Sequence, residues 1–270
     1  MGGSCCETDG ATSLDQVRVA DQSVTRIHVA LAGQPNVGKS TVFNLLTGLN
    51  QHVGNWPGKT VEQKIGTLTY DAVTLDIVDL PGTYSLTANS PEELIAREYI
   101  LTQRPDVIVA IVDAAILERS LYLVAELVQL GAPLVVGLNM LDVAMRHGTR
   151  IDTAKLSEAI GAPVIGLVAA QQLGVDQLVQ VVIQAAQTSS IPIDLLALPE
   201  KMESARAEIE HLIAPKLPEA YPLHWAALKL LEHDAALIEQ LRTLLNPSEW
   251  AQLAGVRQAK RERHDRGKPA

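Results

Sequence analysis

Hydrophobic positions along the chain fall into two regimes. Up to about residue 190, short apolar runs alternate with stretches of helical spacing. Residues 27–32 form an apolar run broken by His28 and predict a buried strand, with a helix following over 41–47. Residues 60–70 and 72–79 alternate β-branched and polar positions around a single aspartate, Asp71, and predict an antiparallel hairpin. Val107–Asp113 and Leu134–Asn139 are apolar runs bounded by Pro or Asp, as expected of buried parallel strands. Between them, residues 117–130 repeat apolar side chains at helical spacing and stop at Gly131. A helix over 152–160 ends at Gly161, a last strand spans 164–168, and a helix spans 175–187. The sum is an α/β fold, a mostly parallel sheet with helices on both faces.

The pattern changes near residue 190. Ile191, Pro192 and Ile193 read as a linker, and only helices are predicted beyond Pro199. They cover 201–213, Leu223–Leu231, 234–245 and 247–263, with Asp234 and Asn246 as N-caps and Pro247 at a first helical position. The expected organisation is a flexible leader (1–24), an α/β domain (25–190), a small all-helical domain (195–265) and a basic tail (266–270).

Composition narrows the function. With 47% hydrophobic residues among 270, a sizeable core is available, and the net charge of −9 argues against a nucleic-acid partner. No apolar run is long enough to span a membrane. Cys5 and Cys6 are the only cysteines, too few for a disulfide framework, which points to a reducing compartment; metal binding by the pair is the alternative to an unused tail. Arg257, Lys260, Arg261, Arg263, Arg266 and Lys268 gather near the end. Two readings stay open for them: a solvated helix end that complements the dipole, or a stretch close to an anionic membrane surface.

The chemistry centres on Gly33-Gln34-Pro35-Asn36-Val37-Gly38-Lys39-Ser40, which fits the phosphate-loop pattern G-x-x-x-x-G-K-[ST] and sits between a predicted strand and a predicted helix starting at Thr41. Backbone N–H groups and the helix N-terminus attract phosphate, Lys39 reaches the β- and γ-phosphates, and Ser40 holds Mg²⁺. Asp79-Leu80-Pro81-Gly82 follows at a strand end: Asp79 serves the Mg²⁺ shell and the Gly82 N–H senses the γ-phosphate. Asn139-Met140-Leu141-Asp142 closes another strand. A carboxylate there accepts two hydrogen bonds from the guanine edge, which adenine does not offer, so the expected nucleotide is GTP or GDP. Met140 stands where lysine is usual. Val168, Ala169 and Ala170 are expected to offer a backbone N–H to guanine O6; alanine at 169 removes a side-chain brace on Asp142 and predicts modest affinity. In the loop from Gly54 to Glu62, Thr60 is the candidate γ-phosphate-dependent Mg²⁺ ligand, Gly58 lies beside the nucleotide, and Trp56 is expected to be a partly exposed switch residue.

These motifs together resemble the cytoplasmic N-terminal region of the ferrous-iron transport protein B (FeoB) family. Gly54-Asn55-Trp56-Pro57-Gly58, Thr60-Val61-Glu62, Asp79 to Leu86 and Asn139 to Asp142 carry the resemblance, over residues 33–170. It implies a Ras-like P-loop GTPase domain and a helical spacer domain that slows GDP release. It also implies a bacterial inner-membrane Fe²⁺ transporter, with this fragment on the cytoplasmic face. The partners implied are a membrane transport domain of the same polypeptide, small Feo accessory proteins and further copies of the chain. Hydrolysis is expected to be slow, because Thr83 stands where Ras-like enzymes place a water-orienting glutamine. The resemblance further implies an activating K⁺ beside the phosphates, held by Asn36 and by carbonyls near Gly54 and Trp56, so that Lys39, Asn36 and Thr60 form the catalytic set. Two other functions stay open: a soluble GTPase of ribosome assembly or tRNA modification, and a nucleotide-sensing module with negligible turnover.

Overall fold

The computed structural model describes residues 25–187 and 199–265, so the leader, the 191–193 linker and the tail from 266 lie outside the described residues. The first domain holds a seven-stranded sheet of β1 (Thr25–Gly33), β2 (Gln51–Asn55), β3 (Glu62–Tyr70), β4 (Val73–Asp79), β5 (Val107–Asp113), β6 (Leu134–Asn139) and β7 (Val164–Gly166). The strand order is β2-β3-β4-β1-β5-β6-β7. The five strands from β4 to β7 run parallel, and β2 and β3 are added antiparallel at one edge. Registers such as Leu31 opposite Asp79 and Asp113 opposite Asn139 bring the ends of β1, β4, β5 and β6 to one edge of the sheet. Parallel α/β sheets bind their ligands there.

The helices are α1 (Lys39–Thr47), α2 (Pro91–Gln103), α3 (Leu117–Gln129), α4 (Leu141–Arg146), α5 (Thr153–Ile160) and α6 (Val175–Ala186). Apolar side chains of β1, such as Val29 and Leu31, pack against Phe43 of α1 and Val182 of α6 on one face. The opposite face packs against α2 and α3, and that apolar layer continues into the second domain. The second domain comprises α7 (Glu200–Ile213), α8 (Leu223–Leu231), α9 (Ala235–Leu244) and α10 (Pro247–Asp265). Trp225 of α8 is fully buried, and truncating it to alanine removes about 3–5 kcal/mol of packing.

Two buried ion pairs join the domains. Arg97 of α2 reaches Asp234 at 2.8 Å, with side chains 1% and 0% exposed. Asp234 also caps α9 by accepting the Leu237 N–H at 2.8 Å. Lys229 of α8 meets Glu126 of α3 and, at 2.9 Å, Glu232.

Several elements differ from the sequence reading. Helix α2 is absent from that reading, although Ser90 caps it by accepting the Glu93 N–H at 3.2 Å and Pro91 occupies its first turn. Strand β2 pairs with β3 as an edge strand without a β-branched run, and α4 adds a turn and a half after Met140. Strand β3 begins at Glu62 rather than residue 60, because Trp56–Val61 closes a hairpin loop in which the Trp56 N–H donates to Val61 O at 2.9 Å. Strand β7 ends at Gly166 rather than residue 168, and α1 starts two residues earlier than expected.

Candidate nucleotide-binding site

The phosphate loop runs from the end of β1 into α1. Asn36 and Gly38 both hold positive φ, at 68° and 87°. A side chain at Gly38 meets a second obstacle, since a Cβ there falls 2.3 Å from Asn139 Nδ2. The two left-handed residues, Asn36 and Gly38, give the loop a tight course. Lys39 is the first residue of α1 and is 8% exposed. Its ammonium donates to the Asp79 carboxylate and to Leu80 O at 2.5 Å. Asp79 is equally buried, at the end of β4.

The segment after Asp79 lies against the phosphate loop. Leu80 N–H donates to Leu31 O at 3.0 Å and Thr83 N–H to Gly33 O at 3.1 Å. A Cβ at Gly82 meets atoms of Pro35 at 3.3 Å. Further along, Leu86 N–H donates to Glu126 Oε2 at 2.7 Å.

On the base side, Asn139 is 3% exposed and joins two loops. Its Nδ2 donates to Val37 O at 2.9 Å, and its Oδ1 accepts the Ala169 N–H at 3.0 Å. Asn139 thus fixes the phosphate loop relative to the 168–170 turn that is expected to meet guanine O6. Met140 takes a left-handed φ of 61° at the start of α4, which turns Asp142 onto the first turn of that helix. Asp142 Oδ2 accepts from Arg146 Nη2 at 3.1 Å, across one helical turn. Sequence reading does not single out Arg146 or Glu126, and it places Gln34 in the phosphate loop without its bond from Nε2 to Arg119 O at 2.7 Å. Only an i,i+4 charge spacing on α4 signals the first of these.

Ser40 and Asp79 flank Lys39 and supply hard oxygen donors suited to Mg²⁺. Thr60 is exposed. It lies outside β3, in the loop that the Trp56–Val61 hydrogen bond closes. Gly58 lies in the same exposed loop with φ 67°. For K⁺, Asn36 is exposed at the phosphate loop, while Gly54 is opposite Gln63 in the β2–β3 ladder and Trp56 closes the hairpin. Trp56 also corrects the sequence reading: it is 7% exposed, not a partly exposed switch residue. Its ring packs edge-on against Tyr99 of α2 at 5.4 Å, which fastens the loop to the helix.

Fold and loops together define a Ras-like G domain followed by a helical domain. The model of the family described as "Ferrous iron transport protein B" matches residues 27–182, and that of the "FeoB cytosolic helical domain" matches 199–267, so the chain belongs to the FeoB family. Among its relatives are Fe(2+) transporters FeoB. That of Legionella pneumophila (strain Lens) is 46% identical over 164 residues, 59% of this chain and 22% of the relative. That of Methanocaldococcus jannaschii is 42% identical over 232 residues, 84% of this chain and 33% of the relative. The chain thus spans about a fifth to a third of the length of such relatives. A variant of S. thermophilus NFeoB bound to mGDP superposes with a TM-score of 0.80 at 36% identity, covering 89% of this chain and 91% of that one. The cytosolic domain of L. pneumophila FeoB gives 0.75 at 36%, covering 85% and 94%. No helix among the described residues is long and apolar enough to cross a membrane, and among them no group of three or more His, Cys, Asp or Glu is arranged to hold a metal.

Proposed function

We propose that this chain is the GTP-binding, slowly hydrolysing switch of an Fe²⁺ transporter, coupling its nucleotide state through the helical domain to a membrane part of the same polypeptide. The observation that carries the reading is the placement of three loops on one sheet edge. Lys39 lies between Ser40 and Asp79, and Asn139 ties the phosphate loop to the turn beside Asp142. Phosphates would lie over the N–H groups of residues 33–41, and guanine between Asp142 and the 168–170 turn. Ser40 and Asp79 would hold Mg²⁺, which offsets phosphate charge. Thr60 would join them when the β2–β3 loop folds toward the γ-phosphate.

Slow turnover follows from Thr83. Its hydroxyl is given to Ser85 O, and no amide is available there to orient the attacking water. Asn36 is the residue from which K⁺ stimulation is expected, with Gly54 and Trp56 carbonyls completing the site after the same loop movement. The setting is the cytoplasmic face of a bacterial inner membrane, with small Feo accessory proteins and other copies of the chain as partners.

The test is GTP turnover in matched KCl and NaCl, with ATP as counter-substrate and Asn36→Ala as control. Faster turnover in K⁺ that disappears in the variant supports the whole reading. Turnover indifferent to the cation removes the K⁺ site. Turnover of ATP as fast as GTP overturns the base assignment.

A further inference from the structure

Two contacts converge on Arg119, in the first turn of α3. Gln34, the second residue of the phosphate loop, is 3% exposed and holds Arg119 O with its Nε2 at 2.7 Å. The Arg119 guanidinium carbon stands 4.5 Å from the centre of the Tyr84 ring. Tyr84 follows Thr83, whose N–H is bonded to Gly33 O. The backbone of Arg119 is therefore fixed by the phosphate loop, and its side chain covers the segment that follows Gly82. Tyr84 is 43% exposed and Arg119 is exposed too; no carboxylate forms a salt bridge with Arg119 among the described residues. A guanidinium over an aromatic face is attracted by the ring quadrupole, an attraction that ends when the two separate.

This stack bears on which nucleotide the site prefers. Lys39 gives its ammonium to Asp79 and to Leu80 O, the residues just before Gly82. A γ-phosphate needs that ammonium and the Gly82 N–H for itself. The ammonium is freed for it only if the 80–84 backbone draws Leu80 O away from Lys39. Tyr84 travels with that backbone, whereas Arg119 is held in place through Gln34. We propose that Arg119 is a positioning residue which biases the site toward the diphosphate: its stack on Tyr84 stabilises the arrangement in which residues 80–84 lie against Lys39 and the phosphate loop. The proposal rests on the reading of this site as one for GTP and GDP.

The bias is a differential affinity, so its size is set by an attraction that operates in the diphosphate state alone. An exposed cation–π pair corresponds to about two- to fivefold in an equilibrium constant. The measurement is the dissociation constant of GDP and of a non-hydrolysable GTP analogue, each with Mg²⁺, for the parent chain and for Arg119→Ala, Tyr84→Leu, Tyr84→Phe and the Arg119→Ala/Tyr84→Leu double variant. Arg119→Ala and Tyr84→Leu are expected to lower the ratio of analogue to GDP constants about two- to fivefold. Tyr84→Phe keeps the ring and leaves the ratio in place, and the double variant goes no lower than either single one. Equal weakening of both nucleotides, or an unchanged ratio, in Arg119→Ala overturns the proposal, since a purely structural role moves both constants together. A Tyr84→Phe effect as large as that of Tyr84→Leu overturns it as well, because the hydroxyl would then carry the interaction. A parent chain that binds neither nucleotide sinks the GTP reading itself.

Discussion

Leu86 donates its backbone N–H to Glu126 Oε2 at 2.7 Å, and the other oxygen of that carboxylate takes the ammonium of Lys229 from the helical domain. One carboxylate in α3 thus serves both the segment following Gly82 and the neighbouring domain. The Lys229 side chain is 0% exposed and that of Glu126 4%. Replacing one member leaves the other charged and short of a partner in the interior. Glu126→Gln and Lys229→Met are each expected to destabilise the chain by about 3–5 kcal/mol in chemical denaturation. The double variant should recover part of that stability, since no lone charge then remains. A double variant as unstable as the sum of the singles would show that the pair is not one interaction.

The same pair sets an alkaline limit. Burial pulls the Lys229 pKa down, but the charge of Glu126 and hydrogen bonds to Glu126 and Glu232 outweigh it and leave it above the ordinary lysine value of 10.5. Burial also holds the Glu126 carboxyl above its ordinary value, against the pull of Lys229. The Lys229 ammonium touches two carboxylates, and these hold its proton in place. A pKa raised in the folded state means that the folded chain keeps a proton the unfolded chain has released. The stability from Lys229 is therefore fully present below 10.5 and is lost as pH rises through the higher folded value. Unfolding free energies measured from pH 8 to 11.5 should fall more steeply at the top of that range for the parent than for Lys229→Met, and parallel curves would remove Lys229 as the cause.

Asn139 binds Val37 O and the Ala169 N–H, and it stands where a Gly38 side chain would go. Gly38→Ala is strained twice, by its φ of 87° and by the 2.3 Å approach to Asn139 Nδ2. Asn139→Ala leaves a buried N–H and a buried carbonyl without partners, at about 1–3 kcal/mol each. Both variants are expected to weaken GDP and GTP alike, about tenfold or more, because they separate the phosphate loop from the base turn. Calorimetric titration with each nucleotide checks this, and a weakening confined to GTP would place Asn139 in γ-phosphate sensing instead.

Much of this site is legible in the sequence because its chemistry is local. Gly33 to Ser40, Asp79 to Gly82 and Asn139 to Asp142 each form one turn at one strand end, so short-range rules of backbone and charge suffice to read them. Relationships between distant segments are not. Arg97 and Asp234 lie 137 residues apart, and nothing near either one marks it as half of a buried pair. Helix α2 lacks a clean apolar stripe because Arg97 and Ala96 are buried along with Ile95, Ile100 and Leu101, on a helix wedged between the sheet and the second domain. Its capping residues Ser90 and Pro91 carry the better signal. Trp56 reads as a mobile loop residue from its Gly and Pro neighbours, and only its packing on Tyr99 shows it to be an anchor.

The base-reading carboxylate gives the sharpest chemical prediction. Asp142 is half-buried on the first turn of α4 and is oriented by Arg146 at 3.1 Å. One oxygen can take guanine N1–H and the other its N2 amine, since each keeps a lone pair beyond the one Arg146 uses. Asn in that place offers one acceptor and one N–H₂ donor, and the donor faces the guanine amine. Asp142→Asn is therefore expected to weaken GTP and GDP about 100-fold or more, and to strengthen xanthosine nucleotides, whose ring carries an acceptor where guanine carries the amine. Competition of GDP against xanthosine diphosphate on the parent and the variant reads both changes at once. An inverted preference assigns base recognition to Asp142. Unchanged GDP affinity would move that role to the 168–170 turn, where the Ala169 N–H is held by Asn139 and the Val168 N–H by Leu173 O, which leaves the Ala170 N–H to offer guanine a donor.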